Sequence, residues 1–149
     1  MKKIIISGII FIIFGFVLGN LIFSTNIKLF NKIPQKEKYY FIEEGIYSKN
    51  THISNDFDNV ADKVIDYDNN KYYVYLGITK DEKIADRLVK LFESKNIKVT
   101  KREKRFNSEE FSNNVKQFDL LINESKNDDE VLTIEEVVLA NYREIIKKE

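Results

Sequence analysis

The chain has 149 residues, with 24 basic and 24 acidic side chains and a formal net charge of zero. This length leaves room for one modest domain with accessory segments and excludes two full enzyme domains. The balanced charge gives no reason to expect nucleic acid as a partner. Cysteine is absent, which excludes disulfides, thiolate metal sites and a cysteine nucleophile.

An uncharged apolar stretch runs from Ile4 to Phe23. Its length is sufficient to cross a hydrocarbon core of about 30 Å as a helix. No small-x-small cleavage site follows it, so we expect residues 1–24 to be an uncleaved transmembrane anchor and not a signal peptide. Gly15 and Gly19 form a Gly-x-x-x-Gly pair, which favours a homodimer of such helices, although glycine is also common in membrane helices in general.

The orientation of the anchor follows from two opposed signals. More lysines follow the span than precede it, which favours an extracytoplasmic amino terminus. A very short charged amino terminus crosses a membrane less readily, which favours the reverse. We expect Met1 inside, a single-pass protein in the cell membrane, a juxtamembrane linker over 25–38 and an extracytoplasmic domain from residue 39 onward.

Residues 39–106 alternate between strand and helix patterns. A strand over 39–47 precedes a short helix with apolar side chains at Phe57, Val60 and Val64, and a hairpin then turns at Asp68 to Asn70. A helix follows with Thr79 as its predicted cap and Asn96 as its left-handed stop, and the stretch IKVTKREKRF reads as the last strand. The predicted stripe of buried side chains on this helix is Ile84, Ala85, Leu88, Leu91 and Phe92.

This order predicts an α+β fold. The pattern βαββαβ gives a four-stranded, antiparallel-containing sheet with both helices on one face, as in ferredoxin-like and RNP-like folds. Tyr73 and Tyr75 then point to the opposite, open face together with Tyr39 and Phe41. A bulge near Gly45 is expected, because strict alternation would turn a glutamate into the core.

Two explanations account for the aromatic side chains on the open face. Residues 107–149 form a predicted helical extension, with apolar stripes at Phe111, Val115, Phe118 and Ile122 and again over 134–145, and these helices would cover the face. Alternatively, the rings form a platform on which a sugar stacks. The sequence leaves both explanations open.

The paired stretches YYFIEEGIYS (39–48) and YYVYLGITKDEKIADRLVKLFESKNIKV (72–99) resemble the SPOR domain, the sporulation-related repeat of bacterial envelope proteins. The resemblance covers residues 39–106 and implies binding of peptidoglycan, specifically of denuded glycan strands, at division or sporulation septa. The family pattern departs from this chain at Glu43, where glutamine is frequent, and at Tyr73, where arginine is frequent. The glycan-binding positions that the resemblance implies are Glu43, Gly45, Tyr47, Tyr73, Tyr75 and Gly77.

Catalysis is not expected. The only histidine, His52, lies in a predicted loop, and Glu43 and Glu44 are adjacent on a strand and therefore point apart. No pattern of metal ligands or cofactor contacts is present, so we expect a non-enzymatic protein without a cofactor.

The alternative function is a membrane-anchored protein-interaction subunit of an envelope or sporulation complex, with its glycan face lost or covered by the C-terminal helices. Residues 107–149 hold eleven acidic and five basic residues, whereas residues 97–106 hold five basic residues and one acidic residue. An acidic helical tail that folds back on this basic strand, or recruits a basic partner, would fit this charge pattern. An RNA-recognition-like sheet shares the strand order but lacks a basic face.

Overall fold

The computed structural model describes residues 36–53, 58 and 60–147. The chain divides into two units, Met1–Gln35 and Lys36–Glu149, and every element described below belongs to the second. The predicted span from Ile4 to Phe23 and the pair Gly15 and Gly19 lie outside the described residues. Within the described part of the chain, none of the helices combines the length and the apolar character that a membrane crossing requires.

The described elements are four strands, three α-helices and a short 3₁₀ turn over Asn50–His52. The strands are β1 (Glu37–Tyr47), β2 (Val64–Asp68), β3 (Lys71–Thr79) and β4 (Thr100–Phe106). The helices are α1 (Glu82–Ser94), α2 (Glu109–Glu124) and α3 (Asp128–Ile146). The predicted α+β class with a four-stranded sheet is therefore confirmed.

The strands form one antiparallel sheet in the order β2-β3-β1-β4. β1 and β3 are the two central strands, and β2 and β4 form the edges. Each central strand therefore has a strand on both sides over part of its length. β2 pairs with β3 only as far as Val64 opposite Tyr75, so the last residues of β3 have no strand on that side.

Local turn chemistry explains two of the chain reversals. Asn69 and Asn70 both adopt positive φ, 50° and 61°, as a two-residue hairpin turn requires. Asn96 adopts φ 61° directly after α1, which confirms the predicted left-handed stop. The predicted Thr79 cap is wrong: Asp81 caps α1, and its side chain accepts hydrogen bonds from the amides of Lys83 and Ile84.

The predicted first helix is not found in the described residues that it covers. Val60 lies in a turn, residues 61–63 have no regular structure, and Val64 begins β2. Residues 54–57 and 59, which the same prediction includes, lie outside the described part of the chain. Val64 is buried as a strand residue directly opposite Tyr75, and not as part of a helix.

α1 packs on the sheet face that carries Tyr40 and Ile42, which we call the α1 face. The Lys101 side chain of β4 marks this face, because it lies 5.4 Å from the Tyr40 ring and pairs with Glu82 and Asp86 of α1. The side chains that α1 buries confirm the predicted stripe; they are Ile84, Ala85, Leu88, Leu91 and Phe92.

α2 and α3 pack over the opposite face, which we call the α3 face. Phe111 of α2 and Tyr142 of α3 contact its rings: Phe111 lies 5.5 Å from Tyr39, and Tyr142 lies 5.1 Å from Phe41. Tyr39, Phe41 and Tyr75 are all 0% exposed. The first of the two explanations, that the C-terminal helices cover the aromatic face, is therefore confirmed, because these helices bury their apolar stripes on it. The predicted layer of two helices on the opposite face is not found in the described residues, where α1 alone packs on that face.

The register of β1 against β3 is irregular at two points. It shifts between Ile42 and Glu43 and again between Glu43 and Gly45, so Glu44 has no directly opposed residue. The second shift confirms the bulge expected near Gly45. Glu44 is half-buried and accepts the Tyr47 hydroxyl at both carboxylate oxygens, at 2.9 and 2.7 Å.

Replacement of Phe111 tests whether the C-terminal helices are part of the core. Phe111→Ala removes a ring that is 2% exposed, and we expect the free energy of unfolding to fall by about 3–5 kcal/mol because a cavity remains at the sheet surface. Leu120→Ala on the same helix is the control, since Leu120 is 64% exposed and its loss is expected to change that free energy by less than about 0.5 kcal/mol. Urea unfolding of residues 36–149 measures both. Equal losses in the two variants would contradict the burial of α2.

Candidate interaction surface

The six positions implied by the SPOR resemblance do not form one open surface. Glu43 is 6% exposed and Tyr75 is 0% exposed, and Gly77 is also buried. Gly45, Tyr47 and Tyr73 are only partly exposed. Glu43 and Tyr75 are opposed on neighbouring strands, whereas Tyr47 is opposite Tyr72 on the other face. The structure therefore brings Glu43, Tyr73 and Tyr75 together on the α3 face and separates Tyr47 from them.

Tyr75 is enclosed between the sheet and the helices. Its ring meets the edge of Phe41 at 4.7 Å between centroids, and Phe41 in turn contacts Tyr142 of α3. Burial raises the pKa of the Tyr75 phenol, and the nearby carboxylates of Asp66 and Glu43 raise it further. This phenol is therefore a neutral core group and offers no ring face to a ligand.

Tyr73 is half-exposed, but an arginine stacks on its ring. The Arg102 guanidinium lies 5.2 Å from the Tyr73 centroid, while Arg102 Nε pairs with Glu43 Oε2 at 2.7 Å. Tyr73 also lies beside Tyr75, with centroids 6.3 Å apart and ring planes 14° from parallel. An arginine that pairs with a buried glutamate therefore already occupies the position where a sugar would stack on Tyr73.

Lys104 contacts the remaining polar groups and rings around Tyr75 on the α3 face. Its ammonium pairs with Asp66 Oδ2 at 3.0 Å, donates to the Tyr75 hydroxyl at 3.2 Å and lies 5.1 Å from the Phe41 centroid. The Tyr142 hydroxyl donates to the same Asp66 oxygen at 3.0 Å. Internal contacts therefore occupy the Asp66 carboxylate and the Tyr75 hydroxyl, and the rings beside them are covered.

Two acidic side chains occupy the edge of β3 beyond the end of β2. The Ile78 amide donates to Glu135 Oε2 of α3 at 2.9 Å, and the Lys80 amide donates to Asp119 Oδ2 of α2 at 3.0 Å. Asp119 Oδ1 also accepts the Thr79 hydroxyl at 2.6 Å. The carboxyl groups thus replace the missing strand as hydrogen-bond acceptors and attach both C-terminal helices to the sheet.

Gly77 makes room for this arrangement. A Cβ atom at this position would lie 3.2 Å from Glu135 Oε2 and 3.2 Å from Leu88 Cδ1. The absence of a side chain therefore makes room for packing between a helix carboxyl group and the strand. Gly45 has a local reason of its own, because a Cβ atom there would lie 3.0 Å from the Tyr47 ring.

Burial changes the ionisation of both carboxyl groups. Desolvation raises the pKa of Glu135 to about 8, although the Ile78 amide opposes this rise, and the nearby Asp119 adds to it. Desolvation raises the pKa of Asp119 to about 6, against the opposing hydrogen bond from Thr79. Glu135 is 1% exposed, and its second oxygen, Oε1, has no hydrogen-bond partner. At neutral pH Glu135 is therefore mainly protonated.

One exposed tyrosine and two half-buried ones lie at the hairpin end of the α1 face. Tyr47, Tyr72 and Tyr67 are directly opposed on β1, β3 and β2, so they form one row across three adjacent strands, which we call the tyrosine row. Tyr67 is 59% exposed, and its ring lies 4.7 Å from that of Tyr72. The neighbouring Ile65 is 37% exposed. Tyr67 and Ile65 therefore present exposed side chains at this end of the face, beside the half-buried Tyr47 and Tyr72.

The tyrosine row lies at the far end of the sheet from the residue where the chain enters it. β1 starts at Glu37 and reaches Tyr47 after 11 residues, which corresponds to about 35 Å of strand. Ile46, on the other face at the same end, is 42% exposed. The largest exposed apolar side chains of the sheet therefore cluster where its two faces are least covered.

The sequence contains signals for some of these features and not for others. Period-two alternation placed Tyr73 and Tyr75 on one face correctly, and the same rule places Tyr72 on the other. Tyr67 falls in the predicted hairpin, but nothing in its neighbourhood distinguishes an exposed tyrosine from a buried one. Asp119 and Glu135 lie within apolar helical stripes, and an acidic residue at a buried stripe position is the signal that could have identified them.

No family model, curated protein or solved structure matches this chain. Among the described residues, no group of three or more histidine or acidic side chains is arranged to hold a metal ion. The function therefore has to be inferred from the geometry of the chain itself.

The Glu43–Arg102 pair provides a test of the closed α3 face. Arg102→Ala leaves the buried Glu43 carboxylate without its partner, and we expect the free energy of unfolding to fall by about 1–3 kcal/mol. Addition of Glu43→Gln should restore part of this loss, because the unpaired charge is then removed. Arg105→Ala is the control, since its side chain is 62% exposed and its partner Glu103 is exposed as well. Chemical denaturation compares the variants, and an Arg102 effect no larger than that of Arg105 would contradict the structural role of the pair.

Proposed function

We propose that this protein is a membrane-anchored, non-enzymatic protein-interaction subunit of the bacterial cell envelope, which binds a partner protein through the tyrosine row. The segment from Ile4 to Phe23 would anchor it, with residues 36–149 extracytoplasmic. The resemblance to the SPOR domain supports an envelope location, and the strand order β2-β3-β1-β4 supports a relation to the βαββαβ arrangement.

The observation that carries the proposal is the burial of the aromatic face. Tyr39, Phe41 and Tyr75 are fully buried beneath α2 and α3, and Arg102 is stacked on Tyr73. A glycan strand would need ring faces and free polar groups on this side of the sheet. The C-terminal helices cover the rings, and Arg102 and Lys104 of β4 pair with the carboxylates of Glu43 and Asp66. The protein-interaction alternative therefore agrees with the geometry better than glycan binding does.

The composition of the exposed end favours a protein partner. Tyrosine is enriched in protein interfaces, because a large amphipathic ring contributes contact area with little loss of conformational freedom. Here three tyrosines are held at fixed spacing by paired strands, and Ile65 extends the row with an aliphatic contact. Exposed isoleucine favours an apolar protein surface over a sugar, whose hydroxyl groups it cannot satisfy.

The acidic charge of the C-terminal segment does not pair with the basic strand β4. Its helices fold back on the sheet, but β4 pairs its charges elsewhere: Lys101 with α1, Arg102 with β1 and Lys104 with β2. The basic strand is thus neutralised within the sheet layer and by α1. Residues 107–147 therefore act as a structural cover, and the tyrosine row offers an accessible contact surface.

Site-specific photo-crosslinking tests the proposal. A photoreactive phenylalanine analogue replaces Tyr67 in the full chain expressed in membranes, and the matched control replaces the exposed Glu124 on α2. We expect a discrete protein adduct from position 67 and none from position 124, because the partner covers the tyrosine row. Tyr72→Ala in the same chain should reduce the adduct at position 67 several-fold, and mass spectrometry identifies its protein component.

Two outcomes would contradict the proposal. Equal adducts at positions 67 and 124 would show that contact is not specific to the row. The absence of a protein adduct, together with Tyr72-dependent co-sedimentation of the chain with amidase-treated wall sacculi, would show that the row binds glycan.

A further inference from the structure

We propose that Glu135 and Asp119 form a pH-sensitive attachment between the C-terminal helices and β3, such that alkaline conditions loosen α3 from the sheet. This device goes beyond the proposed partner binding and does not depend on it. Its basis is the position of two carboxyl groups where a strand would otherwise supply carbonyl acceptors.

The position of Glu135 couples the ionisation of its carboxyl group to the packing of α3 on the sheet. Ile78 is 0% exposed and its amide donates to Glu135, so the bond lies inside the core and not at the surface. Glu135 is 1% exposed, its Oε1 has no hydrogen-bond partner, and its Oε2 lies beside Gly77. An ionised Glu135 would therefore be a buried charge with one amide donor and no cation, which is unfavourable unless α3 moves outward to water.

The charged groups around Glu135 do not compensate such a charge. Asp119 of α2 carries the same sign and itself lies near Asp81, the cap of α1. Lys80, which follows β3, directs its ammonium to Glu37 and Ser112. From β2, Asp66 is engaged by Lys104 and Tyr142. On α3 itself, Glu136 faces Asp62, whose ion-pair partner is Arg143. Among the described residues, neither Glu135 nor Asp119 forms an ion pair.

The direction of the effect follows from the difference between the folded and unfolded states. The pKa of Glu135 rises from 4.5 to about 8 on folding, so the folded state binds the extra proton. Its contribution to stability is complete below pH 4.5 and is lost as pH rises toward 8. Asp119 acts in the same direction at lower pH, between 3.8 and about 6. Of these two carboxyl groups, Glu135 is therefore the one whose contribution to stability changes from neutral pH to pH 8.

Lys80 titrates in the same range with the opposite sign. Burial and the nearby Lys116 lower the pKa of Lys80 to about 8. A lowered lysine pKa means that the folded state releases a proton, so this group gains stability as pH rises. Loosening of α3 on alkalisation therefore cannot come from Lys80, and a Glu135 variant separates the two effects.

Hydrogen–deuterium exchange of the full chain in detergent micelles tests the proposal. Wild type and Glu135→Gln are compared at the same pH, which cancels the intrinsic pH dependence of exchange. The glutamine keeps an acceptor for the Ile78 amide and cannot ionise. We expect the exchange rate of α3 peptides in wild type, divided by the rate in Glu135→Gln at the same pH, to rise at least about tenfold from pH 6 to pH 8.5. Glu124→Gln, an exposed change on α2, should behave as wild type at both values.

The result that would overturn the proposal is an identical exchange ratio at the two pH values, whether that ratio is one or larger. A constant excess would show a packing effect without titration. Should Glu135→Gln fail to fold, the wild-type chain decides alone: after division by intrinsic rates, exchange in α3 must rise between pH 6 and pH 8.5, and a flat profile would refute the switch.

Discussion

Contact between the aromatic rings of the sheet and the C-terminal helices is the interaction on which the rest of this structure depends. Tyr39 stacks on Phe106 with centroids 4.4 Å apart, and Phe111 and Tyr142 complete the cluster from α2 and α3. A sheet covered by α1 alone would leave these rings exposed to water. The helices turn them into a second core, so the sheet has a hydrophobic layer on each side. Among the described residues, the most exposed aromatic side chain is consequently Tyr67 of the tyrosine row.

The second core is held by polar contacts as well as by apolar area. Lys104 and Arg102 extend across the α3 face to Asp66 and Glu43, so the basic strand β4 is neutralised by its own sheet. At the other end, Glu135 accepts the Ile78 amide of β3, and Asp119 accepts the amide of Lys80, which follows β3. Such buried carboxyl groups fix the position of α2 and α3 on the sheet. The stability of this attachment then depends on whether the carboxyl groups are protonated.

Much of the fold could be predicted from the sequence, because it depends on local patterns. The apolar stripes of α1 and α2, the Asn69–Asn70 turn and the stop at Asn96 follow from periodicity and from residues that tolerate positive φ. In the sequence, Thr133 with Glu136 three residues later has the pattern of a helix cap, whereas α3 begins at Asp128 with Asn127 as its cap. Both residues are acceptable caps, so local chemistry did not decide between them.

The site was harder to predict, since it depends on contacts between segments distant in sequence. Alternation along β3 shows that Tyr73 and Tyr75 share a face, but whether that face is open depends on residues more than thirty positions later. Glu135 is 57 residues from Ile78, and no local pattern links them. The resemblance to a glycan-binding domain implied a function for a sheet face that was expected to be open. That face is buried, and the tyrosine row lies on the other face.

Chemical modification of individual tyrosines tests the central claim most directly. Nitration of the native chain with tetranitromethane, followed by mass spectrometry of its peptides, reports which phenols solvent can reach. The burial of the α3 face predicts rapid modification of Tyr67, which is 59% exposed, and protection of Tyr39 and Tyr75, which are 0% exposed. Modification of Tyr75 as fast as that of Tyr67 in the folded chain would contradict the covered sheet.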